Sequence, residues 1–163
     1  MTTTSSSEFR VEKLRVDATV TLSSGQSTRG CFFTAGTSAT HDGPELVGEL
    51  LNSEAGFFPF EIHEGDDTRT VLYNRAHVVL VGLNDNEEER IPGYSVAFRQ
   101  LVSILLSNGH RVVGSVHVYR PKGHDRLSDW TRQPEVFRYL ETGDLTLLVN
   151  ATHIVDISEV PEP

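Results

Sequence analysis

Two His-Asp pairs are the residues of this chain best suited to chemistry: His41-Asp42 and His124-Asp125. Imidazole nitrogens and carboxylate oxygens are both ligands of divalent metals, so one hypothesis is a metal-dependent hydrolase that uses both pairs. Such a site needs further His and Asp residues at helical spacing, and both pairs lie instead in polar stretches between predicted strands. We therefore interpret each pair as part of a loop, in which the Asp starts a turn or caps a helix, and we predict no metal site.

Other catalytic signals are absent from the sequence. The single cysteine, Cys31, follows a glycine in an apolar stretch and has no acid-base partner nearby in sequence, which is typical of a buried structural cysteine. The sequence has no P-loop, no dinucleotide glycine fingerprint, no nucleophile elbow and no Cys-x-x-Cys pair. It therefore predicts a protein that is not an enzyme and that has no cofactor.

The composition favours a cytoplasmic protein that does not bind nucleic acid. The 163 residues carry a net charge of −9, and an acidic surface repels phosphate backbones. A single cysteine excludes an intrachain disulfide, which fits a reducing compartment. No apolar stretch approaches the roughly 18 residues of a membrane helix. Residues 1–10 lack the apolar core of a signal peptide and are predicted to be a disordered tail.

The chain carries an internal repeat. Its first block is a pair of glycines, Gly25 and Gly30, which recurs as Gly109 and Gly114. A later block has the pattern Thr-x-Leu-x-Asn-x-x-His, which runs from Thr70 to His77 and again from Thr146 to His153. Matching blocks keep their order, as expected for a duplication. We predict two repeats, residues 11–83 and 96–160, joined by an exposed acidic linker, residues 84–95.

Each repeat is predicted to contain five strands. An apolar-polar alternation leads into a Gly turn and a return strand, and Gly30 and Gly114 lie inside the return strands, where a glycine indicates a bulge or a bend. A short helical insertion follows at Pro44–Asn52 and at Arg126–Gln133. A third strand and a broken strand pair close each repeat. The predicted fold is mainly β, with two tandem five-stranded small β-barrels.

Four polar residues of the late block are predicted to be structural: Asn74, His77, Asn150 and His153. Asn tolerates unusual backbone angles, so both Asn residues are expected in tight turns. A lone His is more often a satisfied structural group than a ligand, and each His is expected to hydrogen-bond the preceding turn.

The stretch from Gly56 to Phe60 contains the candidate interaction residues. Phe57 and Phe60 are predicted to face the core, and Phe58 is predicted to face outward beside Pro59, where it could contact a partner. Core packing remains an alternative for the whole cluster. Trp130, the single Trp, is a further interaction candidate for which packing is also an open alternative.

These motifs resemble those of the Sm-like small barrel, a family that includes the bacterial Hfq proteins, and a generic SH3-like barrel would look similar. In that family an Asn-Gly turn leads to a bent, Gly-bearing strand, and a short late motif forms the last two strands. The residues that carry the resemblance are Val20, Leu22, Gly25, Gly30, Leu72, Asn74, His77, Val78 and Val79, and then Ile104, Leu106, Asn108, Gly109, Gly114, Leu148, Asn150, His153, Ile154 and Val155. The element Arg126–Asp129, "RLSD", also resembles one found in uncharacterised bacterial domains.

The resemblance implies assembly more than RNA binding. Sm-like proteins bind RNA with a basic residue in the late turn, and here that turn is Asn74-Arg75 in one repeat and Asn150-Ala151 in the other, without Arg-Gly. Sm-like barrels also pair open strand edges into rings through backbone hydrogen bonds. We therefore predict a protein-interaction or assembly module, with unidentified protein partners or further copies of itself. An Sm-like RNA-binding protein and a metal-dependent hydrolase are the alternatives.

Overall fold

The computed structural model describes residues 13–119 and 127–161, and within them the protein is mainly β. The predicted tail at residues 1–10 and the pair His124-Asp125 lie outside the described residues. The strands are β1 (Lys13–Leu22), β2 (Ser27–Ala35), β3 (Phe57–Glu64), β4 (Asp67–Asn74), β5 (Val78–Leu83), β6 (Phe98–Leu106), β7 (Arg111–Val118), β8 (Phe137–Glu141), β9 (Thr146–Asn150) and β10 (Ile154–Glu159). Helix α1 (Val47–Asn52) lies between β2 and β3, and helix α2 (Leu127–Thr131) between β7 and β8.

The two glycine turns form equivalent hairpins. Gly25 has φ 92° and Gly109 has φ 87°, a left-handed conformation that favours glycine. Each donates its backbone N–H to the last residue of the preceding strand, Leu22 or Leu106, over 2.9 Å. The same local chemistry therefore turns β1 into β2 and β6 into β7.

The strand pairing repeats beyond the hairpins. Gly30 lies opposite Ala18 in the first half, and Gly114 lies opposite Val102 in the second. After each glycine, the next residue pairs with the third strand of its own half: Cys31 with Glu61, and Ser115 with Glu141. The first and last strands of each half also pair, with a register shift at the same place. The two halves therefore share one pairing scheme.

All ten described strands belong to one antiparallel sheet, which is not closed. Its strand order is β10-β6-β7-β8-β9-β5-β1-β2-β3-β4, so each half supplies five adjacent strands. The sequence predicted two separate five-stranded barrels, and this finer prediction is not confirmed. The reason lies in the pairing: β5 pairs with β9 of the other half, whereas closure of the first half would require it to pair with β4.

Two apolar cores form, one for each half. The first contains the buried Phe32, Phe58 and Phe60 with side chains from α1, and the second contains Ile104, Val116 and Trp130. Within the described residues, the outermost strands of the sheet, β10 and β4, are each paired on one side only. None of the described helices has the length and apolar character that crossing a bilayer requires.

The segment predicted to be an exposed acidic linker is partly buried. It forms two short 3-10 turns, Glu87–Arg90 and Tyr94–Val96, and the side chains of Glu87 and Glu88 are buried. Glu87 accepts hydrogen bonds from the backbone N–H groups of Val47 and Gly48 at 2.9 and 2.8 Å, and so satisfies the start of α1. Burial raises the pKa of Glu87. The acidic composition led to the prediction of an exposed linker, whereas Glu87 and Glu88 are buried and Glu87 stabilises the start of α1.

Candidate functional site

The junction between the two halves is a pair of sheet edges. Residues Leu80–Leu83 of β5 pair with residues Thr146–Val149 of β9, and Val81 lies opposite Leu148. Backbone pairing of this kind satisfies the N–H and C=O groups of an edge strand that would otherwise be open. The junction therefore makes one continuous sheet from two repeated units.

Apolar side chains cross this junction in both directions. Phe137 and Leu148, which belong to the second half, are packed in the core of the first half. Val79, which belongs to the first half, is packed in the core of the second. Each half thus completes its core with side chains supplied by its neighbour, which makes the junction a packed interface in addition to a backbone ladder.

Polar side chains complete the junction. The Asn150 amide donates hydrogen bonds to the carbonyls of Arg75 and Val78, at 3.3 and 2.8 Å. Nε2 of His153 lies 2.7 Å from the carbonyl of Ala76. Asn52 adds two bonds with the backbone of Phe137, at 2.8 and 2.9 Å. The buried polar groups of this interface are therefore paired across it.

By the repeat, each free edge of the sheet is equivalent to one side of this junction. Strand β4 is equivalent to β9 and β10 to β5, yet among the described strands neither β4 nor β10 has a neighbour on its outer side. Leu148 is 0% exposed, and its equivalent Leu72 is 67% exposed. The same contrast holds for two further pairs, in which the first residue lies at the junction and the second at a free edge: Phe137 (2%) and Phe57 (61%), and Val79 (0%) and Val155 (62%). The free edges thus expose the side chains that the junction buries.

The residues predicted to be structural sit at the ends of these strands. The side chains of Asn74 and Asn150 each accept a hydrogen bond at 3.0 Å from the backbone two residues later, and so start the 3-10 turns Arg75–His77 and Ala151–His153. His77 contacts Ser23 of the first hairpin turn through Nδ1 at 3.0 Å, and His153 contacts Ser107 in the same way at 2.7 Å. Each late block therefore anchors the first turn of its own half.

The structure confirms the predicted burial of Phe60 and reverses the predicted orientations of Phe57 and Phe58. Phe58 and Phe60 are buried, and Phe57 is exposed at the free edge. Residues 58 and 60 share a face of a regular strand, and β3 stays regular because Pro59 lies beyond the residues that pair with β2. Phe57, paired with Asn74 at the start of β3, is the exposed member of the cluster.

Trp130 is buried in the second core and offers no contact surface. Its ring lies under the guanidinium of Arg138, whose carbon is 5.2 Å from the ring centroid. Arg138 in turn donates to the carbonyls of Trp130 and Gln133. The Trp130 ring therefore packs inside the fold, and the guanidinium group of Arg138 that lies over it is hydrogen-bonded to backbone carbonyls.

His41 and Asp42 do not act as a pair. His41 Nδ1 lies 2.9 Å from the Asp42 backbone carbonyl, and its Nε2 lies 2.7 Å from the Glu49 carboxylate. The Asp42 carbonyl, and secondarily Glu49, raise the pKa of His41 against the effect of its burial. Burial tends to raise the pKa of Glu49, but hydrogen bonds from Leu46, Ser38, Thr40 and His41 outweigh it and hold that pKa below its ordinary range.

We expect a His41→Gln variant to differ most from the parent in stability at mildly acidic pH. The raised pKa of His41 contributes stability below about pH 6.5 that is lost as the pH rises, and the lowered pKa of Glu49 contributes stability above about pH 4.3 that is lost as the pH falls. Urea unfolding across the pH range measures the difference, with His110→Gln, a change at an exposed position, as the control. A difference that does not vary with pH would contradict this assignment.

The chain matches no protein-family model, no curated protein and no solved structure. The junction and the two free edges are therefore interpreted from their own geometry.

Proposed function

We propose that this protein is a self-assembling interaction module of the cytoplasm, without enzymatic activity, in which β4 of one copy pairs with β10 of the next. The observation that carries the proposal is the junction between β5 and β9, because the same molecule already contains one packed example of the contact. Each free edge carries the residues equivalent to one side of that junction.

The junction also specifies the register of the proposed contact. Val81 lies opposite Leu148 within the chain, and the equivalent residues are Ile157 and Leu72. The adjacent pair, Leu83 and Thr146, corresponds to Glu159 and Thr70. In this register the apolar pair Leu72 and Ile157 is followed two residues later, on the same face, by the polar pair Thr70 and Glu159.

Polar groups at the free edges support the same register. Asn74 is equivalent to Asn150, and within residues 13–119 and 127–161 its amide donates none of the bonds that Asn150 makes across the junction. In the proposed contact that amide would donate to the carbonyls of Ala151 and Ile154 in the next copy. His77, equivalent to His153, would approach the carbonyl of Thr152.

The two edges of one copy are different surfaces, so the contact is heterologous. A heterologous contact generates a closed ring when its rotation closes. The resemblance to Sm-like barrels favours the ring, and because each chain holds two repeats, the ring needs half as many chains as repeats.

Light scattering on the full chain tests the proposal. We expect a single mass that is a whole multiple of 18.1 kDa and that stays constant as the protein is diluted over the micromolar range. A closed ring gives this result because no free edge is left to add further copies. A monomer at every concentration up to roughly millimolar would overturn the proposal.

A further inference from the structure

A buried cluster of two carboxylates and one imidazole lies in the second half, away from both free edges. Glu88 comes from the 3-10 turn Glu87–Arg90, His117 from β7, and Glu141 from the end of β8. Nδ1 of His117 lies 3.3 Å from Oε1 of Glu88, and Nε2 lies 4.0 Å from Oε2 of Glu141. One ligand atom from each residue can be chosen so that all three lie within 4.8 Å of one another.

Two atoms of this cluster are buried and unsatisfied. Oε1 of Glu88 and Nδ1 of His117 have no hydrogen-bond partner among the described residues, and their side chains are 2% and 6% exposed. Leaving a buried carboxylate oxygen unpaired is costly, and such atoms are rare in native proteins. Within residues 13–119 and 127–161, neither carboxylate has a Lys or Arg in ion-pair distance. The two orphan atoms therefore lie 3.3 Å apart without forming a hydrogen bond to each other.

Two tyrosines hold the carboxylates of the cluster. Tyr119 donates its hydroxyl proton to Oε2 of Glu88 at 2.8 Å, the oxygen other than the orphan Oε1, and Tyr94 donates to Oε2 of Glu141 at 2.5 Å. Outer hydrogen bonds of this kind orient carboxylates that bind metals.

We propose that Glu88, His117 and Glu141 form a binding site for one divalent transition-metal ion of the Zn²⁺ type. Two ligands bound to Zn²⁺ at about 2.0–2.1 Å in tetrahedral geometry lie about 3.3 Å apart, which is the separation found between Glu88 and His117. An imidazole with two carboxylates suits Zn²⁺, Mn²⁺ or Co²⁺ better than Ca²⁺, which takes oxygen ligands alone. The ion would neutralise the buried Glu88 carboxylate and the half-buried Glu141 carboxylate, and would satisfy both orphan atoms.

The cluster is accessible from outside. Two of the three ligands, Glu88 and His117, line a cavity of about 530 Å³ together with Tyr119, so an ion that enters the cavity reaches both of them. Three protein ligands leave one tetrahedral position open toward this cavity, where a water molecule can complete the coordination.

A second group of potential ligands is a weaker candidate and provides a matched control. Cys31, Glu61 and His63 also lie within reach of one another. Burial, followed by Glu61, raises the pKa of Cys31 to about 11, so its thiol stays protonated and is a poor ligand. The thiol instead contacts the Glu61 carboxylate at 3.6 Å.

Metal titration of the full chain tests the site. After removal of metal by chelator dialysis, Zn²⁺ is titrated by calorimetry into the parent and into Glu88→Gln, Glu141→Gln and Glu61→Gln. We expect one ion per chain in the parent, a loss of affinity of at least about 100-fold in the first two variants, and no change in the third. Circular dichroism verifies that the Gln variants, which preserve the side-chain shape, are folded.

Cobalt spectroscopy distinguishes the two groups of ligands independently of affinity. Co²⁺ bound by Glu88, His117 and Glu141 gives visible ligand-field bands without a thiolate charge-transfer band, and Tyr119→Phe weakens its binding by about tenfold. Absence of a stoichiometric ion in the parent overturns the proposal, as does a thiolate band or a loss of binding confined to Glu61→Gln. The proposal is independent of assembly, because the cluster contains no residue of β4 or β10.

Discussion

Leu72→Asp is expected to convert the assembled protein into a folded monomer of about 18 kDa. Leu72 is 67% exposed in the single chain and is equivalent to Leu148, which is fully buried at the internal junction. In the proposed contact the substitution removes a leucine from a packed interface and places a carboxylate there without a partner. The expected loss is at least about 3 kcal/mol of association free energy per contact, or over 100-fold in the dissociation constant.

Val113→Asp is the matched control for this variant. Val113 is also an exposed apolar residue on a strand, but β7 lies inside the sheet, and its equivalent in the first half is the polar Arg29. We expect the control to assemble like the parent and to share its unfolding midpoint, and we expect Leu72→Asp to be folded but without the stability that assembly adds. Light scattering gives the masses, and a Leu72→Asp protein that retains the parent mass would argue strongly against pairing through β4.

Gly30→Ala is expected to destabilise the chain by about 4 kcal/mol, or to prevent it from folding. A Cβ atom at Gly30 would lie 1.8 Å from the backbone carbonyl oxygen of Glu61 and 2.7 Å from the ring of Phe60. The first neighbour is backbone of β3 and cannot rotate away, so the variant must separate β3 from β2 next to the pair Cys31 and Glu61. Both the ladder and the packing of Phe60 are then disturbed.

Gly82→Ala controls for the general effect of adding a methyl group to a strand glycine. Gly82 lies in β5, and the nearest atom to an added Cβ would be a methyl carbon of Leu147 at 3.7 Å, an ordinary contact. Urea unfolding at equal protein concentration measures both variants, since assembly adds to apparent stability. Equal free energies of unfolding for Gly30→Ala and Gly82→Ala would contradict the close approach of the Glu61 carbonyl to Gly30.

Local sequence signals predicted much of the fold. The turns at Gly25 and Gly109 were placed correctly because a glycine turn between alternating strands has a specific backbone requirement. The glycines at positions 30 and 114 were predicted to mark a bulge or a bend; the strand register is continuous through both, and glycine is required there because a third-strand carbonyl lies where a Cβ atom would be. The equivalence of the two halves could be predicted because residues that make the same contact in each half are of the same type at matching positions.

Long-range pairing could not be predicted in the same way. Nothing local in β5 indicates that it pairs with β9 of the other half, since an edge strand has the same apolar alternation whichever strand it joins. The predicted orientation of Phe58 was wrong because the prediction placed Phe57 in the core, and alternation along the strand then turned Phe58 outward; in the structure Phe58 and Phe60 share the buried face of β3. The sequence around Pro59 also does not indicate where the pairing of β3 with β2 ends.

The buried polar cluster gave no sequence signal. Glu88 stands within a run of acidic residues, which is typical of a solvated surface, and His117 stands alone among valines of β7. Glu141 is the last residue of β8, where an acidic residue is an ordinary strand end. These residues meet only because β7, β8 and the turn at Glu88 converge in the folded chain, so their chemistry emerges from tertiary structure.

Disulfide trapping across the proposed register tests assembly most directly. In a Cys31→Ser background, chosen because Ser115 occupies the equivalent place, cysteines are introduced at Leu72 and Ile157. Residues opposite each other on antiparallel strands have Cβ atoms about 4.5–5.5 Å apart, close enough for a disulfide with small adjustments.

We predict that mild oxidation links copies of this double-cysteine protein into covalent rings that reductant returns to single chains, while Leu72→Cys alone stays unlinked. Failure of the double variant to cross-link at concentrations where the parent is assembled, or equal cross-linking of the single variant, would contradict the β4 to β10 contact.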